Sequence, residues 1–555
     1  MGSVLPARSI GHAVALILVV LLARFTYKLI KVRCHVRSFI KETGMTSPPH
    51  SFLLGHIPAM AKLLMKYPRD TAGHSIPLLL LQEYPDLREK GLVCMDSWPI
   101  ANPMLAVVHP DMCAQFCQEQ SMPKAPLMDL IFGRFTHKLD LVTSDGPHWK
   151  RWRSAFNPGF SNKNILSLVP AIIEEVQVFK DTLSQAADSG ETFELLSPAV
   201  KAACDVIGRV VLGKRLRIQT TDSPLFNAMR RQLAAICFPE TIQLWRDNPI
   251  ANFKIWNNNR IMRNELIEDI RTQFDESGGA GDPKTITRLA IDVYLKENGD
   301  ASSSSSSSSK GGLSPRERLL QDDDFLRVAL AQIEIFLIAG HDTTASTLCY
   351  IYYLLHRYPE TADRLRKEHA DVLGADTPSA LATITSDPSV LHRLPYTTAV
   401  IKETLRMYPA IASVRAGARS FHLVNPQTRS RFPTDGFTLM STSQATQRLP
   451  EYWPRPDEFI PDRWLAEEGD PLRAGHGNNA FRPFEMGPRN CIGQELATVE
   501  LKLMLVMTVR DLDVVPAYRE GAAKLFGEAA YQSLVPNELN NRPKDGLPVR
   551  IRRRS

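Results

Sequence analysis

Cysteine is scarce in this chain, with 8 among 555 residues. They stand at 34, 94, 113, 117, 204, 237, 349 and 491, none in C-x-x-C spacing. That distribution excludes a zinc cluster or a secreted disulfide framework as the basis of the fold, and it fits a reducing, cytosol-facing environment. Cys113 and Cys117, four residues apart, read as one packed helix face. No flavin or nicotinamide fingerprint occurs, so any electrons the chain uses arrive from another protein. Excess charge is small too, and a net +6 argues for no nucleic-acid partner. The N-terminal apolar run is short: Ile10 to Ala23 is apolar apart from His12, against the about 20 residues of a full membrane span. Acidic residues are missing before Glu42.

What is present begins with that short run. It spans a bilayer only if Arg24 and Lys28 snorkel while Phe25, Tyr27, Leu29 and Ile30 lie at the interface. LLARFTYKL supplies no small-residue cleavage site, which argues against a secretory signal; the solid apolarity argues against a mitochondrial presequence, a minority reading that the lack of any acid before Glu42 keeps open. Lys31, Arg33 and Arg37 follow the run and place the rest of the chain in the cytosol, as in an endoplasmic reticulum signal anchor. The expected organisation is an anchor over 1–30, a basic and proline hinge over 31–55 centred on Ser47-Pro48-Pro49, and one large domain over 56–555. Within it, the eight serines Ser302 to Ser309 mark a flexible loop over 301–312. A content of 44% hydrophobic and 23% charged residues is ample for a large core. Arg550 and Arg552 to Arg554 form a second basic cluster, at the C-terminus.

The stretch that organises the chain is Phe484 to Gly493, FEMGPRNCIG. A cysteine thiolate is one of the axial ligands of haem iron, and it pushes electron density onto the metal. Cys491 is the candidate ligand. Gly487 and Gly493 let the backbone approach a flat cofactor, Phe484 shields the sulfur, and Arg489 faces a haem propionate. Apolar residues at Ile492, Leu496, Val499, Leu503 and Val506 predict a helix starting just after Cys491, a position that favours thiolate over thiol.

F-x-x-G-x-R-x-C-x-G is matched at every fixed position, and the chain resembles the cytochrome P450s, haem-thiolate monooxygenases. The resemblance implies a mainly α fold with a smaller β-rich lobe (α+β), haem b as cofactor, and one domain, because the motifs from Trp149 to Cys491 must converge on a single haem. Three further motifs follow the family's order. Trp149 and Arg153, four apart in GPHWKRWRSAF, lie on one helix face, and the resemblance gives them to the haem propionates. Asp322 to Asp324 open a helix that Pro359 closes, about 50 Å long at ~1.5 Å per residue. Gln332 and Glu334 mark that helix as a buried central element rather than a membrane span. In its middle Gly340 costs ~1 kcal/mol and asks for a reason, and Thr343 is placed to bond back to the Ala339 carbonyl and open a groove. In the family, the acid and first threonine of A-G-x-D-T deliver protons to activated dioxygen, roles that carry over to Asp342 and Thr343. Glu403 and Arg406 in E-x-x-R would bond Arg463 to fix the cysteine loop, with Asp462 where glutamate is common, and Arg415 is a further propionate candidate.

The expected function is a monooxygenase that inserts one oxygen atom of dioxygen into a bulky apolar substrate. Its electrons would come from NADPH through cytochrome P450 reductase, with cytochrome b5 as a possible second donor. Segments 121–139 and 409–415 would line the substrate pocket, and the style is closest to fungal members of polyketide, terpenoid or mycotoxin pathways. Two rival readings are a haem-thiolate isomerase or dehydratase, which needs no proton relay, and a haem sensor or carrier, which consumes no NADPH.

Overall fold

In the computed structural model, residues 7–237, 249–275, 283–299, 315–473, 479–534 and 541–554 are described. The serine-rich loop expected at 301–312 lies outside them. Helix α1 (Ala7–Thr43) begins apart from the rest of the chain, with Leu16, Ile17, Leu18, Val19 and Leu22 exposed. Among the described residues it is the one helix long and apolar enough to cross a membrane. Farther along, Leu29, Arg33, Val36 and Phe39 are buried at helical spacing, so the same helix becomes an amphipathic element of the folded domain. The stretch expected as a hinge is thus helical as far as Thr43, and the prolines follow it.

The elements around the site are α2 (Gly146–Phe156), α3 (Leu196–Leu212), α4 (Pro224–Cys237), α5 (Pro249–Asp275), α6 (Asp323–Arg357), α7 (Pro395–Met407) and α8 (Gln494–Thr508). Helix α6 is the central one. Asp322 caps it by accepting from the Phe325 amide at 2.9 Å, Asp323 and Asp324 occupy its first turn, and His356 and Arg357 its last, all matched to the helix dipole. Its buried polar residues are partly paired: Gln332 donates to the Leu139 carbonyl at 2.6 Å and accepts from the Leu141 amide at 3.1 Å. Burial pushes the Glu334 carboxyl up to about 8, so it is held protonated near neutrality.

The reason that Gly340 asks for lies in its packing. A Cβ there would stand 2.7 Å from Ile207 Cγ1 and 2.8 Å from its Cδ1, so the glycine is where α3 crosses α6 at close range. Gly340→Ala is expected to lower stability by about 1–2 kcal/mol, because overpacking outweighs alanine's better helix propensity. That loss should vanish in an Ile207→Ala background, a comparison read by chemical unfolding.

The smaller β-rich lobe holds a four-stranded sheet of β1 (Leu92–Met95), β2 (Met104–Val107), β3 (Ser413–Ala416) and β4 (Thr438–Ser441), in the order β1-β2-β4-β3. β1 and β2 run antiparallel, β2 and β4 parallel with Met104 opposite Thr438, and β3 returns antiparallel with Arg415 opposite Leu439. Its buried strands form a separate apolar cluster with the docked part of α1, including Val36 and Phe39. A three-stranded sheet of Thr192–Glu194, Pro548–Arg553 and Leu512–Pro516 closes the helical side. The mainly α architecture with a smaller β-rich lobe agrees with the sequence reading.

Candidate active site

The cysteine loop leads directly into α8 and packs on the backbone at Cys117 and Gln118. Gly487 has φ +89°, and a Cβ on it would lie 2.5 Å from the Cys117 carbonyl oxygen and 2.8 Å from Gln118 Cα. Glycine is therefore demanded by both conformation and space. The Cys491 amide donates to the Phe484 carbonyl at 2.8 Å, which closes the loop on itself. The Cys491 side chain is exposed, and it lines a cavity of about 310 Å³ with Arg153, Asn157, Phe160 and Asn490. Burial pushes its thiol up, against the Gly493 amide and the Arg153 charge, which pull it down. Gly493 is the N-cap of α8, three positions ahead of where the apolar spacing reaches the core at Leu496.

Behind the loop the expected scaffold is assembled. Glu403, Arg406 and Arg463 are all fully buried. Arg406 Nη2 and Arg463 Nε both donate to Glu403 Oε1, at 2.9 and 3.0 Å. The Trp464 indole donates to Oε2 at 2.9 Å and the Ile460 amide to Oε1 at 3.0 Å, leaving the carboxylate saturated. Arg406 also donates to the carbonyls of Gln447, Pro456 and Glu458, tying α7 to the segment that leads to the cysteine. Burial alone would raise the Glu403 carboxyl, but Arg406 and Arg463 carry it below its ordinary value. Asp462 stands apart from this cluster and takes a bidentate pair with Arg364, both bonds at 2.7 Å.

Cations gather on the sheet side. Arg415 is fully buried, with Nη1 donating to Ser413 Oγ at 2.7 Å and the Val414 carbonyl at 3.0 Å, while Nε and Nη2 have no partner. Arg489 stacks 4.3 Å over the Trp149 ring and reaches Asp145 at 2.6 Å, with Nη1 unpartnered. Lys124 faces Arg415 across an isolated β-bridge, and desolvation with the nearby charges of Arg415 and Arg489 pushes its ammonium down to about 7. Arg153 turns instead toward the cysteine loop, donating to the Asn490 carbonyl at 3.0 Å and its side-chain oxygen at 2.8 Å. Unpartnered guanidinium nitrogens in a buried cationic cluster call for an anionic partner. A flat cofactor with two carboxylates beside the cysteine supplies that charge, so the residues present fit haem. Lys124 has no place in the motifs read from sequence; it lies outside all of them.

On α6 the open face is short. Ala339 and Thr343 are more accessible than their buried neighbours, and Thr343 Oγ donates to the Ala339 carbonyl at 3.2 Å, as its spacing implied. Asp342 is buried and pairs at 2.5 Å with Arg542, which lies on the Arg542–Pro543 strand near the C-terminus. Next to it, burial pushes the His341 imidazole down, and its Nδ1 donates to the Leu337 carbonyl at 2.8 Å. No local pattern pointed to Arg542.

A family model described as cytochrome P450 matches residues 79–524. The chain belongs to the cytochrome P450 family. Relatives of this P450 include the cytochrome P450 monooxygenase polC of Polytolypa hystricis, 34% identical over 97% of this chain and 95% of polC. The monooxygenase acrF of Aspergillus aculeatus is 30% identical over 82% of this chain and 93% of its own, and ptmG of Penicillium ochrochloron is 26% identical over 92% and 90%. Among solved structures, the crystal structure of the cytochrome P450DA heme domain aligns with a TM-score of 0.67 at 23% identity, over 92% of this P450 and 97% of that chain, a likeness of fold. The family is one of haem-thiolate proteins, and the cysteine loop and cation cluster of this P450 are matched to such a group.

Proposed function

We propose that this P450 is a monooxygenase anchored in the endoplasmic reticulum membrane by α1, with its catalytic domain in the cytosol, and that it inserts one oxygen atom of dioxygen into a bulky apolar organic substrate. The observation that carries the reading is the fully buried Arg415, with two unpartnered nitrogens, in a cationic cluster beside the Cys491 loop. Haem b is the cofactor we assign there, and when bound through a thiolate it supplies dioxygen activation and transfer of one oxygen atom to a C–H bond. Cys491 would ligate its iron. Arg415, Arg489, Lys124 and Trp149 would hold the propionates, Arg153 steadies the cysteine loop through Asn490, and Phe484 and Gly487 shape that loop.

Asp342 and Thr343 manage protons. The Arg542 pair holds the Asp342 carboxylate in place, and the Thr343 hydroxyl, bonded to the Ala339 carbonyl, keeps its oxygen available as an acceptor on the accessible face of α6. NADPH would supply electrons through cytochrome P450 reductase, with cytochrome b5 as a second donor. The relatives named above are fungal and each is named a cytochrome P450 monooxygenase, which supports oxidation of a fungal secondary metabolite of the polyketide or terpenoid kind.

The test is oxygen uptake by the purified chain with reductase, NADPH and a panel of apolar polyketides and terpenoids. Substrate-dependent uptake with one labelled oxygen atom in the product is expected; conversion without uptake would make the protein an isomerase or dehydratase. Thr343→Ala is expected to fold and to keep consuming NADPH while product per NADPH falls by on the order of 10²-fold, as when a group that positions a transferred proton is removed. Product-to-NADPH ratios check it.

A further inference from the structure

We propose that the substrate carries a hydroxyl group on its apolar skeleton, and that His74, Asn541 and Gln444 bind this hydroxyl on the β-lobe side of the pocket. The proposal rests on the monooxygenase reading, with the segment 409–415 as one pocket wall.

Three stretches far apart in the chain bring these polar groups together: the turn Gly73–Ser75, the short helix Ser443–Thr446 that follows β4, and the Arg542–Pro543 strand. The strand pairs with Gln532–Ser533, and the resulting ribbon is tied on several sides. The Ala72 amide donates to the Gln532 carbonyl at 3.1 Å, the Gln532 side-chain amide donates to the Pro409 carbonyl at 2.8 Å, and the Asn541 amide donates to the Ala410 carbonyl at 3.4 Å. Arg542 meanwhile pairs with Asp342 of α6. Neighbouring residues of a strand are only ~3.3 Å apart. Asn541 and Arg542 thus join the 409–410 wall to the α6 acid within one step of the chain.

His74 and Asn541 form a directed pair, with Asn541 Nδ2 2.7 Å from His74 Nδ1. An amide NH₂ only donates, so Nδ1 accepts and the proton of the neutral ring sits on Nε2. Burial pushes this imidazole down to about 4, which keeps the ring neutral near neutrality. Its Nε2–H has no hydrogen-bond partner among the described residues. Gln444 supplies the opposite polarity. It is 5% exposed, and its Oε1 is buried with no partner. A carbonyl in that state is destabilised until a donor reaches it, and the soft terminal torsion of the side chain lets the oxygen turn toward one.

His74, Asn541 and Gln444 line one cavity of about 10 Å³ with Pro409, Ile411 and Met440. That is room for a single oxygen-sized group. Ile411 is 45% exposed, so the cavity is open on its side. Size and polarity then fix the chemistry of the occupant. A carboxylate or phosphate is too large, and the cavity lining holds no cation to pair with it. A ketone oxygen accepts from His74 Nε2–H but gives nothing to Gln444. A hydroxyl accepts from Nε2–H and donates to Oε1, and it alone satisfies both. Bound there, it orients an otherwise apolar skeleton, as a few placed polar groups do in an apolar pocket.

The experiment uses the full haem-loaded protein. The terpenoid alcohols borneol, farnesol and lanosterol are titrated beside their methyl ethers and deoxy hydrocarbons, with the shift of the haem absorption band read as binding. The alcohol is expected to bind more tightly than its ether or hydrocarbon by on the order of 10- to 100-fold. His74→Phe and Gln444→Leu, two changes that remove the polar group and keep most of the volume, are each expected to erase that preference while the reduced carbon monoxide band stays at the parent's intensity. Gln444→Leu decides the matter if His74→Phe does not fold. Equal affinity across the matched sets in the parent, as when a water molecule fills the cavity, would overturn the proposal, and so would a preference that the folded variants retain. Oxygen uptake without the preference would leave the monooxygenase reading standing and sink only the hydroxyl site. The preference without oxygen uptake would instead keep the site and sink that reading.

Discussion

Cys491→Ala is expected to leave a folded protein that has lost the strongly red-shifted Soret band of its reduced carbon monoxide complex, and with it all turnover. The cause is local. The loop is closed by the Cys491 amide on the Phe484 carbonyl and shaped by Gly487, and none of these uses the sulfur. The side chain opens onto a cavity instead of filling the core, so its truncation removes little packing, and the cost in stability stays within about 1 kcal/mol. What disappears is the thiolate that donates electron density to the iron. Far-UV circular dichroism and an unfolding curve matching the parent's, together with an absent band, are the expected pair of results. A band unchanged in the variant would mean that another side chain ligates the iron, and the mechanism argued here would fail at its first step.

Glu403→Ala is expected to do the reverse, abolishing the holoprotein rather than the chemistry. Removing one carboxylate strands the guanidinium groups of Arg406 and Arg463 in a fully buried cluster, and it leaves the Trp464 indole and the Ile460 amide without their acceptor. Breaking a buried pair in this way costs ~3–5 kcal/mol. Typical net stability is only about 5–15 kcal/mol, so much of the margin goes. Haem content per chain in freshly purified protein is the measurement, and spectrally normal holoprotein at the parent's yield would sink the assignment. The same carboxylate predicts acid sensitivity. Its folded pKa lies below its unfolded value of about 4.3, so its contribution is present above that pH and is lost as pH falls through the folded value. The variant's unfolding free energy should lack that part of the acid-side slope.

These two residues were legible in the chain because their signals are short-range. Phe484 to Gly493 carries its own glycines and its own helix start, and Glu403 and Arg406 are three apart on one helix. Helix α6 was legible for the same reason, since its acidic start, its apolar length and its terminating Pro359 all lie within one stretch. Even there the reading was incomplete. The Thr343 bond to Ala339 follows from i, i+4 spacing, whereas the cause of Gly340 is Ile207 of another helix.

The sequence by itself determined the family, the mainly helical architecture, the cysteine and the polar residues placed at fixed intervals from their neighbours, because helix period and turn chemistry act over a few residues. Only the tertiary structure decided that Arg542 holds Asp342, that Lys124 joins Arg415 and Arg489, and that Arg33 closes on Asp96. Each of those contacts joins segments far apart along the chain. A surface arginine and a buried one read alike in sequence, and burial with a partner brought in by the fold is what makes one of them a clasp.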